Sequence, residues 1–345
     1  MSEFRIALVP GDGVGPEVVH AARKVLEAAA RKGDTRFQYT EYMAGKVAYD
    51  QTKDPLPPDT LDGIRRSDAA LMGGLSFDLV PPPSPVGRLR KELDLYADVR
   101  PIQSYPGVWC LRDNLDIIVV RENTQGFLAD RNLYKGYGEF MPDKDTVLSL
   151  RVLTREGCER IATFAFEYAA KLSRKRMTAV HEANVLRTGD GFFLDVCKEV
   201  AKQYPSMEFK TAYVDAVANN LIACPGEYDV LLTTNLYGDI LSDEAAALVS
   251  FLVPTANFGK GCVVFRPIHE AMLNLAGKNV VNPISAILSA AMMAEYLSVP
   301  AVSACIRNAV RKALAQGSVK TRDLGGNATT TEMTQAIIEA MLEED

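Results

Sequence analysis

The stretch Asn235-Leu236-Tyr237-Gly238-Asp239-Ile240-Leu241-Ser242-Asp243-Glu244 follows a short apolar run, Val230 to Leu232, and two threonines. The apolar run reads as the end of a buried strand, and Thr233, Thr234 and Asn235 as residues that end it and cap a helix. Strand and helix also alternate through the first hundred residues, which places the chain in the α/β class. On a helix Asp239 and Asp243, four apart, share one face. Two carboxylates on adjacent turns repel each other, and a divalent cation relieves the repulsion. Hard oxygen ligands suit Mg²⁺ or Mn²⁺. The alternative for any Asp-x-x-x-Asp is a pair of solvated helix acids, and the rest of the chain decides between the two.

At 345 residues the chain is comfortable as two domains, and its 48% hydrophobic content is enough for a large core. The net charge of −6 gives no sign of a nucleic-acid-binding surface. Cys110, Cys158, Cys197, Cys224, Cys262 and Cys305 are scattered with no Cys-x-x-Cys pair, which argues against structural zinc and for a reducing, cytoplasmic setting. The sequence lacks a signal-peptide core and any apolar run of membrane-spanning length.

Near the start, Arg5 to Pro10 reads as a strand, followed by Gly11-Asp12-Gly13-Val14-Gly15-Pro16-Glu17 and a helix from about Glu17 to Lys32. The spacing is G-x-G-x-G rather than G-x-G-x-x-G, and proline opens the helix, so this is not a standard Rossmann fingerprint. The glycines suit either a plain strand-to-helix turn or a close backbone approach to a ligand. Arg90, Arg100 and Arg121 are planar cations that bind carboxylates in bidentate fashion, and three of them in one cleft would hold a di- or tricarboxylate. The segment 131–146, rich in Tyr, Gly and charge, is too polar for core and reads as an exposed loop or protruding arm. Leu148 to Leu153 reads as strand-like, Thr154 to Ser173 as an amphipathic helix, and the chain around Val253, Pro254 and Thr255 as a loop. Asn282-Pro283 opens a long apolar helix.

Taken in order, these motifs resemble the β-decarboxylating dehydrogenases of the isocitrate and 3-isopropylmalate dehydrogenase family. They are Gly11 to Glu17, Leu89-Arg90-Lys91 through Arg100-Pro101, Arg121-Glu122-Asn123-Thr124, Asn184-Val185-Leu186, Tyr213-Val214-Asp215, Asn235 to Glu244 and Asn282-Pro283. The resemblance covers essentially the whole chain. It implies a two-domain α/β fold, one domain from residues 1–100 and 253–345 and the other from 101–252, with the arm exchanged in a homodimer that shares its active sites. It further implies that Arg90, Arg100 and Arg121 bind the carboxylates of a small malate-type substrate. Asp239 and Asp243 would hold Mg²⁺ or Mn²⁺ together with Asp215 of the other subunit. His269 and Asn282 would contact the adenine of NAD or NADP, with Asn274 at the ribose.

The chain departs from that family's pattern at Leu128, at Glu182 and along the cofactor loop. Leu128 stands where a proton-donating tyrosine is expected, and leucine has no proton to give. Glu182 replaces a lysine that helps take the hydroxyl proton, and it could serve as a base or as a further metal ligand. In the cofactor loop, Arg266-Pro267-Ile268-His269-Glu270-Ala271 stands for Glu-Pro-x-His-Gly-Ser, so a carboxylate lies where backbone would approach a pyrophosphate. Asn274 replaces an acid that selects NAD. The expected function is metal- and NAD(P)-dependent oxidation of a 3-substituted malate. The alternatives are a ligand-holding paralogue without chemistry, or a metal-dependent lyase or decarboxylase that uses no nicotinamide. Just before the first clamp arginine, Gly87 leaves room and Arg88 adds charge, which hints at a larger or more anionic substituent.

Overall fold

The computed structural model describes residues 2–81, 84–128 and 138–343. In chain order its strands are β1 (Ser2–Val9), β2 (Thr35–Glu41), β3 (Ala69–Met72), β4 (Ala97–Gln103), β5 (Asp116–Glu122), β6 (Glu139–Asp143), β7 (Thr146–Ser149), β8 (Arg176–His181), β9 (Glu208–Tyr213), β10 (Val230–Thr233), β11 (Pro254–Phe258) and β12 (Val263–Pro267). The helices are α1 (Gly15–Ala30), α2 (Lys46–Thr52), α3 (Pro58–Arg66), α4 (Pro85–Glu92), α5 (Arg155–Lys171), α6 (Gly189–Ala201), α7 (Val214–Ala223), α8 (Asn235–Leu248), α9 (Ile284–Tyr296), α10 (Pro300–Gln316) and α11 (Thr330–Leu342). Ten strands form one sheet in the order β2-β1-β3-β12-β11-β4-β5-β10-β8-β9. Both wings are parallel, and they meet at an antiparallel centre where β11 pairs with β12 and β4, and β4 with β5. The α/β class is as the sequence indicates.

Strand alternation gives the sheet two unlike faces. Ile6, Leu71, Phe265, Ala256, Val99, Val120, Leu232 and Ala179 point to one face and belong to a single continuous core under α1, α5, α6, α9, α10 and α11. Helix α9 is buried on nearly all sides, which explains an apolar run without helical period. On the other face the core is split. Val9, Met72 and Val264 pack with Ile64 of α3 and Leu89 of α4. Ile117, Val119 and Leu231 pack with Leu221 of α7 and Leu241 of α8. Between these two clusters the antiparallel centre is left without a helix, and the residues there are polar.

Two local readings change. Val253 to Thr255 is no loop. Val253 is buried and Pro254 opens β11, a central strand. Proline is tolerated there because it is the strand's first residue, opposite Pro267 at the end of the ladder. The strand-like segment 148–153 is in fact a hairpin strand, Thr146–Ser149, paired with β6 and exposed along its length. The N-terminal part of the arm lies outside the described residues, and Tyr134 and Tyr137 with it. No described helix is long and apolar enough to cross a membrane.

Candidate active site

At the antiparallel centre, register places a row of polar side chains on one face. Asp98 and Arg100 are two apart on β4, so they share a face. Asp98 lies opposite Arg121 of β5 on one side and Asn257 of β11 on the other. Thr255 of β11 lies opposite Arg266 of β12. All six line a cleft of about 320 Å³, closed by Arg90 from α4 and by Asp239 and Asp243 from α8. The three arginines expected from sequence therefore do converge, and so do two of the three expected metal acids. Glycine is required at 238, because a Cβ there would fall 2.7 Å from the Arg121 side chain.

The charges interlock. Arg100 donates through Nε to Asp98 at 3.1 Å, through Nη1 to Ser242 at 2.7 Å and Asp243 at 3.0 Å, and through Nη2 to Asp239 at 3.2 Å. Arg121 pairs with Asp239 and donates to Asn235 Oδ1 at 2.8 Å. Asn235 and Thr234 therefore make no side-chain cap on α8, and Asn235 serves the arginine. Asp98, 1% exposed, is the internal counter-ion. Burial opposes its ionised form, but Arg100, Arg121 and Arg90 outweigh burial and hold the carboxyl below its usual range. Burial, then repulsion from Arg100 and Arg90, lowers Arg121 to about 9. Burial lowers Arg90 to about 10 and leaves its Nε without a hydrogen-bond partner. Burial likewise depresses Arg266. Such a set of desolvated guanidinium groups is built to receive an anion.

Asp98 and Arg266 carry no distinctive motif of their own. The available signal was the period of two, which puts Asp98 beside Arg100. Asp215 lies exposed in the first turn of α7, away from the cleft of its own chain. Among the described residues no three His, Cys, Asp or Glu side chains are grouped to hold a metal. Leu128 lines the cleft at the position expected of the proton donor. Glu182 does not. Its Oε2 is buried without a partner, and its backbone N–H donates to Asp190 at 2.6 Å. Asp190 is fully buried and paired with Arg151.

The glycine turn resolves in favour of chain packing. Gly13 has φ +57, and a Cβ there would meet the Ala271 carbonyl at 1.9 Å. Val14 N–H donates to that carbonyl at 2.8 Å, and Asp12 receives Lys46 N–H and Ser76 N–H, each at 2.8 Å. The backbone approach is thus to the chain's own segment after β12, which Glu17 also holds through Gly277 at 2.6 Å and Asn279 at 3.0 Å. A second pocket of about 690 Å³ is lined by Trp109, Met272, His269 and Asn282. His269 Nε2 is buried there without a partner, and burial lowers the ring's pKa. Asn282 donates to Asp323 at 2.8 Å and accepts from Ile284 N–H at 3.0 Å. Asn274 is exposed on the loop and does not line the pocket.

Fold and cleft together define an α/β protein with a cluster of arginines lining a cleft at the junction of two parallel half-sheets. The family model for isocitrate/isopropylmalate dehydrogenase matches residues 5–337. The 3-isopropylmalate dehydrogenase of Archaeoglobus fulgidus is 42% identical over 335 residues, covering 96% of this chain and 98% of its own. The homoisocitrate dehydrogenase of Methanocaldococcus jannaschii is 38% identical, with 97% of each chain covered. The crystal structure of isocitrate dehydrogenase from Methylococcus capsulatus matches with a TM-score of 0.90 at 37% identity, covering 98% of this chain and 99% of that one. The chain belongs to the isocitrate/isopropylmalate dehydrogenase family.

Proposed function

We propose that the cleft binds a 3-substituted malate and that the protein oxidises its 2-hydroxyl with NAD or NADP, with loss of the β-carboxylate as CO₂. The observation that carries this reading is the convergence of Arg90, Arg100, Arg121 and Arg266 on a cleft walled by Asp239 and Asp243. The first three arginines fix the malate carboxylates. Asp239 must yield Arg100 and Arg121 to the incoming substrate, and it is then left for a cation. The donors fit Mg²⁺ or Mn²⁺, being hard oxygens. Burial raises the pKa of Asp243, with Arg100 opposing and Asp239 adding to the effect. When bound, the metal supplies Lewis acidity at the hydroxyl and the nicotinamide a hydride acceptor. Glu182 of the partner subunit stands where the family's lysine helps take the hydroxyl proton, and it serves there as a less effective base or as a further metal ligand.

The same reading takes the protein as a homodimer. Support comes from the exposed apolar side chains of the β6–β7 hairpin, Phe140, Met141, Val147 and Leu148, and from the exposure of Asp215. The split core on the cleft face supports two domains, 1–100 with 253–345 and 101–252, meeting at β4. Six free cysteines suit a reducing cytoplasm. Asp215→Asn is expected to weaken Mn²⁺ binding by about tenfold or more, equal to ~1.4 kcal/mol, with no change in melting temperature. Calorimetry and thermal unfolding check this, and unaltered Mn²⁺ affinity would remove Asp215 from the metal set.

Turnover is tested by mixing the protein with Mn²⁺, NAD or NADP and a panel of malates and following the absorbance of the reduced cofactor. The chain has one tryptophan, Trp109, 76% exposed beside His269. Nucleotide binding is therefore expected to quench its fluorescence saturably. Quenching without turnover favours a second reading, to which Leu128 in the cleft already points: a protein that holds the ligands without completing the reaction. Neither quenching nor turnover sinks the nicotinamide reading.

A further inference from the structure

Arg88, whose charge hinted at a more anionic substrate, is turned away from the cleft. It pairs with Asp54 at 2.5 Å and donates to the Leu56 carbonyl at 3.0 Å. The additional cation comes from β12 instead. Arg266 lines the cleft beside Ser84 and Gly87 of the α4 segment. Arg100 donates to Asp98, Asp239, Asp243 and Ser242, and Arg121 uses both Nη groups on Asp239 and Asn235, its Nε alone being without a partner. The Arg266 guanidinium, by contrast, donates to no described residue. Asp98, Asp239 and Glu270 act on it only at a distance, and Arg100 opposes them. A fork of donors is thus held ready, with its aliphatic stem fixed in a central strand.

We propose that Arg266 receives an oxyanion carried on the 3-substituent of the substrate, so that the cleft selects malates whose substituent is itself anionic. This rests on the reading of the cleft as a malate site. Discrimination works in both directions. A substituent carboxylate gains a charge-assisted, bidentate partner. An apolar substituent seals the guanidinium from water with nothing to accept from it, which is the more costly state.

The test is calorimetry of the full chain with saturating Mn²⁺, comparing isocitrate, whose substituent ends in a carboxylate, with 3-isopropylmalate, whose substituent is apolar. Wild-type protein should bind isocitrate at least about tenfold more tightly. Arg266→Gln should weaken isocitrate by about 10- to 100-fold and change 3-isopropylmalate by less than about threefold. Arg266→Lys keeps the charge and loses the fork, so it should fall between. It also serves if the glutamine variant does not fold. Equal weakening of both ligands, or tighter binding of 3-isopropylmalate by the wild type, overturns the role given to Arg266 and leaves the malate site standing. Binding of neither ligand overturns both.

Discussion

Asp98→Asn is expected to lower the unfolding free energy by about 3–5 kcal/mol at neutral pH, the usual cost of removing one partner from a buried ion pair. The side chain is almost isosteric, so the loss isolates charge. Asp98 lies 3.0 Å from Arg100 and 3.8 Å from Arg121, and Arg90 and Arg266 also feel its field. Without it, four guanidinium groups converge on the cleft with the more exposed Asp239 and Asp243 left to offset them. Urea unfolding at a series of pH values checks the assignment. The folded carboxyl lies below its usual range. Its stabilisation is therefore fully present above the unfolded pKa, about 4, and is lost as pH falls through the folded value. The gap between variant and wild type should be wide at pH 7 and close in acid. A dicarboxylate such as malonate, binding only the folded state, should narrow the gap at pH 7. A variant as stable as the wild type across this range would mean that Asp98 is not the counter-ion.

Why Asp98 was overlooked in the sequence while Asp239 and Asp243 were not is a matter of range. Asp239 and Asp243 are coupled by a helix turn, and that spacing is visible within five residues. Asp98 acquires its meaning from Arg121 and Asn257, which stand opposite it only once β4 is flanked by β5 and β11. Arg266 needs a further strand, and it joins the cleft through its pairing with Thr255. The mistaken loop at Val253 to Thr255 belongs to the same class of failure. Pro254 is a strong local breaker, and nothing nearby in sequence reveals that the next residues complete a sheet with partners more than 150 residues earlier. Conversely, the helices α1 and α5 are legible because their signals, a proline at the start of α1 and a capped apolar stripe in α5, are local. Thr154 accepts from Gly157 N–H. Arg88 shows the limit of local reading in the other direction, since a charge adjacent to the clamp in sequence is paired with Asp54 on the far side of its helix.

The second large effect concerns Leu128 and Glu182, the two positions that depart from the family's tyrosine and lysine. Leu128→Tyr combined with Glu182→Lys is expected to raise kcat on an accepted malate by about 10²- to 10⁴-fold, the range that general acid–base groups contribute. The two sites are prepared for the change. Leu128 lines the cleft and is 41% exposed, so a phenol there reaches the space a substrate occupies. Glu182 sits next to the buried Asp190 and carries an oxygen without a partner, so an ammonium there relieves one repulsion and gains one attraction. Tyr237 is not among the residues that line the cleft, so it does not take Leu128's place as the source of the enolate's proton. The single variants separate the steps. Leu128→Tyr should speed the reaction only if protonation of the enolate limits the wild type, and Glu182→Lys only if removal of the hydroxyl proton does. Because one proton must leave before the other is delivered, the pair should exceed the product of the singles. Steady-state kinetics with Mn²⁺ and the cofactor that quenches Trp109 give the measurement. A double variant no faster than the wild type would show that Glu182 already serves as an adequate base and that the acid comes from elsewhere. A slower one would show that its negative charge is itself part of the chemistry, and the departure from the family pattern would then be an adaptation to a different substrate charge rather than a loss.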